Sequence, residues 1–119
     1  MKVGAIYENE IAAYRDARAR NNVKLAWHHL ERAHIVSQPH VGLHFSGHLA
    51  MFTFALSLRD WPEAWGQVAR LALVPLGAIV GRIPRGNTGR ASVSVFQSMP
   101  VPSDLKMLLE EDQPGGLEQ

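Results

Sequence analysis

Residues 22–58, NVKLAWHHLERAHIVSQPHVGLHFSGHLAMFTFALSL, decide the fold, because they read as two helices hinged at one proline. Asn22 is a natural N-cap, its short polar side chain able to accept from a first-turn N–H. The helix it opens runs over 23–37 and must stop before Gln38-Pro39, since a residue preceding proline is pushed out of the α region. Pro39 then suits the first turn of a further helix over about 40–58.

Outward from this pair the same grammar continues. Residues 6–20 carry good helix formers and predict a helix that Asn21 and Asn22 interrupt. Asp60-Trp61-Pro62-Glu63 predicts a fourth helix, with Asp60 as N-cap, proline in the first turn and Glu63 completing a capping box. That helix runs to about 79, with a bend expected at Pro75. Residues 82–89 (RIPRGNTG) are turn-rich, 91–96 alternate like a short strand or extended arm, and 99–102 stay extended. Ser103 or Asp104 starts a last short helix to about 111, and 113–119 are expected to be disordered. The reading is an all-α, four-helix bundle-like single domain over 1–119, with a non-helical arm at about 82–102.

Composition sets the outer limits. A chain of 119 residues, 46% apolar and 19% charged, is a single-domain globule. Without cysteine it has no disulfide, no thiolate metal site and no cysteine nucleophile. Net charge +1 points away from nucleic acid. The N-terminus lacks the apolar run of a secretory signal, so a cytoplasmic location is expected. Residues 41–58 form an uncharged run at the lower edge of transmembrane length. Their histidines, hydroxyls and glycines fit a buried bundle helix better, and no membrane contact is expected. Between Glu63 and Asp104 the chain has arginines but no acid, while the residues from Asp104 onward are acidic. Basic turn and acidic tail are therefore expected to lie near each other.

All six histidines fall between His28 and His48. On the second helix Trp27, Glu31, His34 and Gln38 form one stripe at the edge of the apolar face, whereas His28 and His29 point elsewhere. On the third, His40, His44 and His48 recur every four residues and Met51 follows. The opposite side carries Gly42, Ser46, Thr53 and Ser57, small residues that let another helix approach. This helix is thus expected to be buried on two sides. Antiparallel packing through Pro39 would bring Glu31, His34, His44 and His48 together. Glu31 and His34 have the Glu-x-x-His spacing of bundle metal proteins, and histidines at i and i+4 are a metal-competent pair. There is no second Glu-x-x-His, so a mononuclear transition-metal site is indicated, suited to Zn, Cu, Ni or Fe. Gln38, His40 and Met51 would lie adjacent, Met51 tilting the set toward copper.

The turn containing Arg82, Arg85 and Arg90 could contact an anion or a partner, but it lacks the lysine and Ser/Thr of a P-loop. The compact alternative uses Gly86 and Gly89 for positive φ and pairs Arg82 and Arg90 with helix acids.

HLERAH at 29–34, with Gln38, His44 and His48, and GRIPRGNTGRASVSVFQSMPVPSDL at 81–105 resemble a family of short bacterial proteins carried as a domain of unknown function. The resemblance spans roughly 22–110. It implies that the arm belongs to the domain, and it carries no activity.

Three functions remain open. The first is a metal-binding helical protein for sequestration or sensing, with Glu31, His34, His44 and His48 as ligands. The second is a small enzyme or ligand-binding pocket in which Glu31 and His34 or His48 do acid–base work without metal, walled by Trp27, Phe45, Phe52 and Trp65. The third is an interaction module whose arm docks a partner or swaps between copies in a homo-oligomer. No catalytic signature is complete, and the sequence does not name a small-molecule ligand.

Overall fold

A computed structural model describes residues 2–80, 87–94 and 97–112. Five helices follow in order: α1 Val3–Ala19, α2 Val23–Ser37, α3 Val41–Ser57, α4 Trp61–Val80 and α5 Ser103–Asp112. No strand occurs among the described residues; 91–93 form a turn and bend where a strand or extended arm was expected.

The helix ends show why the chain breaks where it does. Asn21 adopts the left-handed region (φ 56°), and the Asn22 N–H reaches back to Ala17 O, closing α1 in a Schellman turn. Asn22 then opens α2, its Oδ1 accepting from Leu25 N at 3.2 Å. Arg59 (φ 56°) repeats the device after α3, with Asp60 N–H bonded to Ala55 O. Asp60 caps α4 by accepting from Glu63 N at 3.2 Å. Glu63 does not return the bond as a capping box would; its carboxylate is taken elsewhere. Pro39 lies just ahead of α3, whose N-cap is His40, and α4 continues through Pro75.

α1 packs on α2, α3 on α4, and α2 on α3, with α5 lying against α1 and α2. Ile6, Leu30, Met51, Phe54 and Leu105 are fully buried in the core, each large side chain contributing about 1.5–3 kcal/mol of burial. Trp27 and Tyr14 both pack on the Phe54 ring.

α3 is not buried on two sides. Gly42, Ser46, Thr53 and Ser57 are all exposed, because the described residues that pack on α3 lie on its histidine-bearing side. Among the described residues the arm's Arg90 pairs with Glu31 and Glu63, not with the acidic tail. Asp104 pairs with Arg32 of α2, which also bonds Glu10 of α1, and this clamp holds α5 on the α1–α2 pair.

Candidate metal centre

α2 and α3 bring three histidines to one point. His34 Nε2 lies 2.9 Å from His44 Nε2 and 3.0 Å from His48 Nε2, and the last two are 3.2 Å apart. All three residues are buried. Gly47 lies between His44 and His48 in sequence, and a Cβ there would make ordinary contact with the His34 backbone and Ser37. It therefore sits at the α2–α3 contact.

The remaining ring nitrogens decide what these Nε2 atoms are. His34 Nδ1 lies 2.6 Å from the backbone oxygen of Asn87, which only accepts. His48 Nδ1 lies 2.7 Å from Gln67 Oε1. The Gln67 amide is oriented because its Nε2 donates to Glu63 Oε2 and to Gly89 O, both at 2.8 Å. Each Nδ1 must therefore carry the proton. The neutral rings of His34 and His48 then present bare Nε2 lone pairs to one another. His44 can donate to one of them, and its own Nδ1 has no hydrogen-bond partner. A lone pair is left over, facing nitrogen.

The three nitrogens lie close enough to share a metal ion, which would accept all three lone pairs. Around an ion at about 2.0–2.1 Å, nitrogens spaced as these are subtend roughly 90–100°, a facial set that leaves positions open on the far side. Among the described residues, His34, His44 and His48 are the group of His, Cys, Asp or Glu donors close enough to share one ion.

An outer shell supports two of the three rings. Glu63 Oε2 accepts from Gln67 and from the Ala91 N–H at 2.8 Å, and Glu63 Oε1 accepts from Arg90 Nε at 2.6 Å. Asn87 folds the arm on itself, its Nδ2 donating to Ser94 O and Gln97 O. Gly89, at φ 83°, lays the backbone directly over the His34 ring. Gly66 of α4 makes room for the arm at the other side, where a Cβ would collide with Ala91. Arg70 holds the carbonyls of Ala91 and Val93.

Burial pushes all three histidines toward the neutral form. His44 falls to about 4 by desolvation, reinforced by the His48 charge. His48 falls to about 4 by desolvation and by Arg70, against the opposing bond to Gln67. His34 is lowered well below its usual range, first by burial and then by the two neighbouring rings. At Glu63 burial pushes upward, but the bonds from Gln67, Ala91 and Arg90 outweigh it and the net shift is down.

A pH dependence follows. Groups that are neutral in the fold but protonate near 6.5 when unfolded contribute stability that is complete above pH 6.5 and is lost as pH falls toward about 4. In chelator, the urea midpoint should decline between pH 6.5 and 4.5, above the carboxylate range. A flat profile in that window would contradict buried neutral rings.

The other residues singled out by sequence are placed as follows. Glu31 stands outside the trio, its Oε2 3.9 Å from Arg90 Nη1 and its carboxyl raised chiefly by burial. Gln38 is buried at the end of α2, and His40 is exposed at the N-cap of α3. Met51 is fully buried in the apolar core, one turn beyond His48. His29 bonds Glu10 at 2.9 Å, and His28 is exposed. Arg82 and Arg85 lie outside the described residues. Arg90 stacks 3.7 Å over Trp27 while bonding Glu63, the helix-acid pairing expected of a compact turn. Trp27, Phe45, Phe52 and Trp65 form no common wall, since Phe45 is 43% and Trp65 72% exposed.

Sequence spacing did not identify Gln67 and Glu63 as partners of the histidines. Their signal was a polar stripe, Glu63, Gln67 and Arg70 at i, i+4 and i+7, on an otherwise apolar helix.

A three-histidine centre braced by an arm across a helical bundle is thus the defining feature of the chain. The family described as "Protein of unknown function (DUF3703)" matches residues 1–109, and the chain belongs to it. The match takes in α1, which the sequence resemblance did not reach. No curated protein and no solved structure matches the chain.

Proposed function

We propose that the protein binds a transition-metal ion through Nε2 of His34, His44 and His48, and that holding this ion, for sequestration or sensing, is its function. The observation that carries this is the pair of Nε2 lone pairs of His34 and His48 facing each other at 3.0 Å, fixed there by proton donation from both Nδ1 atoms. Imidazoles held by outer-shell acceptors in one tautomer are the usual arrangement of metal-ligating histidines. Nitrogen donors without thiolate or carboxylate suit Zn, Cu, Ni or Fe. Glu31, expected from the sequence as a fourth ligand beside the three histidines, is not a ligand in this reading. Acid–base chemistry by Glu31 without metal has less support, because Glu31 faces Arg90 and the aromatic wall is not assembled.

The test is elemental analysis of the purified chain, followed by titration of chelator-stripped protein with Zn(II), Ni(II), Cu(II) and Co(II). One ion per chain is expected, with Co(II) spectra showing nitrogen ligation. His34→Ala combined with His48→Ala should remove this binding, and His28→Ala combined with His29→Ala should leave it intact. Absence of uptake by wild type, or equal uptake by the His34/His48 variant, would overturn the proposal.

A further inference from the structure

The solvent side of the α3–α4 pair has a composition that a monomer's surface does not explain. α3 contains no Asp, Glu, Lys or Arg, and the exposed positions described on α4 contain none either. An amphipathic helix at a protein surface carries charge on its outer face, whereas one apolar or uncharged all round is normally covered. Here one side of α3 is covered by the histidine cluster and core, and the other is open.

That open side is organised. At 100° per residue, Phe45, Leu49 and Leu56 fall within about 40° on α3, and Trp61, Trp65 and Leu76 within about 60° on α4. These six are between 39% and 72% exposed, Trp65 the most. Both stripes lie on the side of their helix away from the buried histidines and Gln67. Together they expose on the order of 600 Å², the upper limit for a typical monomer's largest patch and close to the ~800 Å² each partner gives a stable interface. Beside the α3 stripe run exposed Gly42, Ser46, Thr53 and Ser57. A Cβ on Gly42 would meet nothing within 4 Å, so the backbone is open to close approach by another helix.

From this we infer that the α3–α4 face is the interface of a homodimer. A second copy supplies the same uncharged, apolar stripe, and a two-fold contact needs no opposite charge across it. The alternatives fit less well. No helix among the described residues is long and apolar enough to cross a membrane, and this face has no lysine or arginine to meet lipid headgroups. This inference does not depend on the metal reading.

The test is light scattering and sedimentation of the full chain over a wide concentration range, with and without Zn(II). The expected mass is twice 13.2 kDa. Trp65→Glu and, separately, Leu49→Lys should raise the dimer dissociation constant at least ~30-fold, as loss of a buried anchor does, with helical ellipticity unchanged. A wild-type monomer at every concentration overturns the proposal, as does a dimer that both substitutions leave intact. So does a monomer that instead co-sediments with phospholipid vesicles.

Discussion

Glu63→Ala is expected to lower folding stability by about 3–5 kcal/mol, the cost of removing one partner from a buried ionic network. The side chain is 5% exposed and accepts three hydrogen bonds, from Gln67, Arg90 and the Ala91 N–H. Its removal leaves one Gln67 amide N–H and the half-buried Ala91 N–H without an acceptor, and it frees Arg90 from the position in which it stacks on Trp27. The same substitution releases one of the two bonds that hold the Gln67 amide toward His48. Metal affinity should therefore fall about 10- to 100-fold, as for other outer-shell losses. Urea unfolding followed by tryptophan fluorescence and a competition titration measure the two effects. Glu31→Ala is the control: its carboxylate makes only a 3.9 Å ion pair at 28% side-chain exposure, so its stability cost should stay within about 1 kcal/mol. A Glu63→Ala cost no larger than that of Glu31→Ala would remove the bracing role assigned to Glu63.

The contrast between these glutamates shows what the sequence could and could not carry. The bounds of α2, the capping of α4 by Asp60 and the convergence of His34, His44 and His48 follow from local rules: cap chemistry, the residue before proline, and fourfold spacing on a helix. Glu31 obeyed the same spacing rule, but i and i+3 positions diverge by about 60° around a helix. That divergence leaves Glu31 free to answer a charge from outside the pair, and Arg90 supplies it. Arg90, Asn87 and Gly89 reach the site only because the arm folds back over α2 and α4, a non-local contact with no periodic signature. Glu63 was misread for a related reason. Its position fits a capping box, yet the burial of α4 beside the arm offered its carboxylate stronger donors than the N-cap backbone. The uncharged run of α3 was legible as burial, but among the described residues only its histidine-bearing side is buried.

The arm's dependence on one glycine gives the second large effect. Gly89→Ala should destabilise the protein by about 2–5 kcal/mol, combining backbone strain with overpacking of a closed site. At φ 83° the backbone lies in the left-handed region, which alanine enters only at a cost of about 1–2 kcal/mol. A Cβ there would come within 2.7 Å of His34 Cδ2 and 2.9 Å of His34 Nε2. The ring cannot yield freely, because its Nδ1 is held by Asn87 O and its Nε2 faces two other imidazoles. The backbone cannot yield freely either, since Gly89 N–H donates to Asn87 Oδ1 and Gly89 O accepts from Gln67. Either displacement moves a proposed ligand nitrogen, so metal affinity and stability should fall together. Gly4→Ala is the matched control, an exposed glycine of α1, outside the α3–α4 face, whose added methyl meets nothing, and it should stabilise by up to about 1 kcal/mol. Thermal unfolding in chelator separates the two substitutions, and repeating it with saturating Zn(II) gives the metal-linked stabilisation. Wild type and Gly4→Ala should gain a similar increment from the ion, and Gly89→Ala clearly less. An equal gain in all three would mean that the arm does not shape the three-histidine centre.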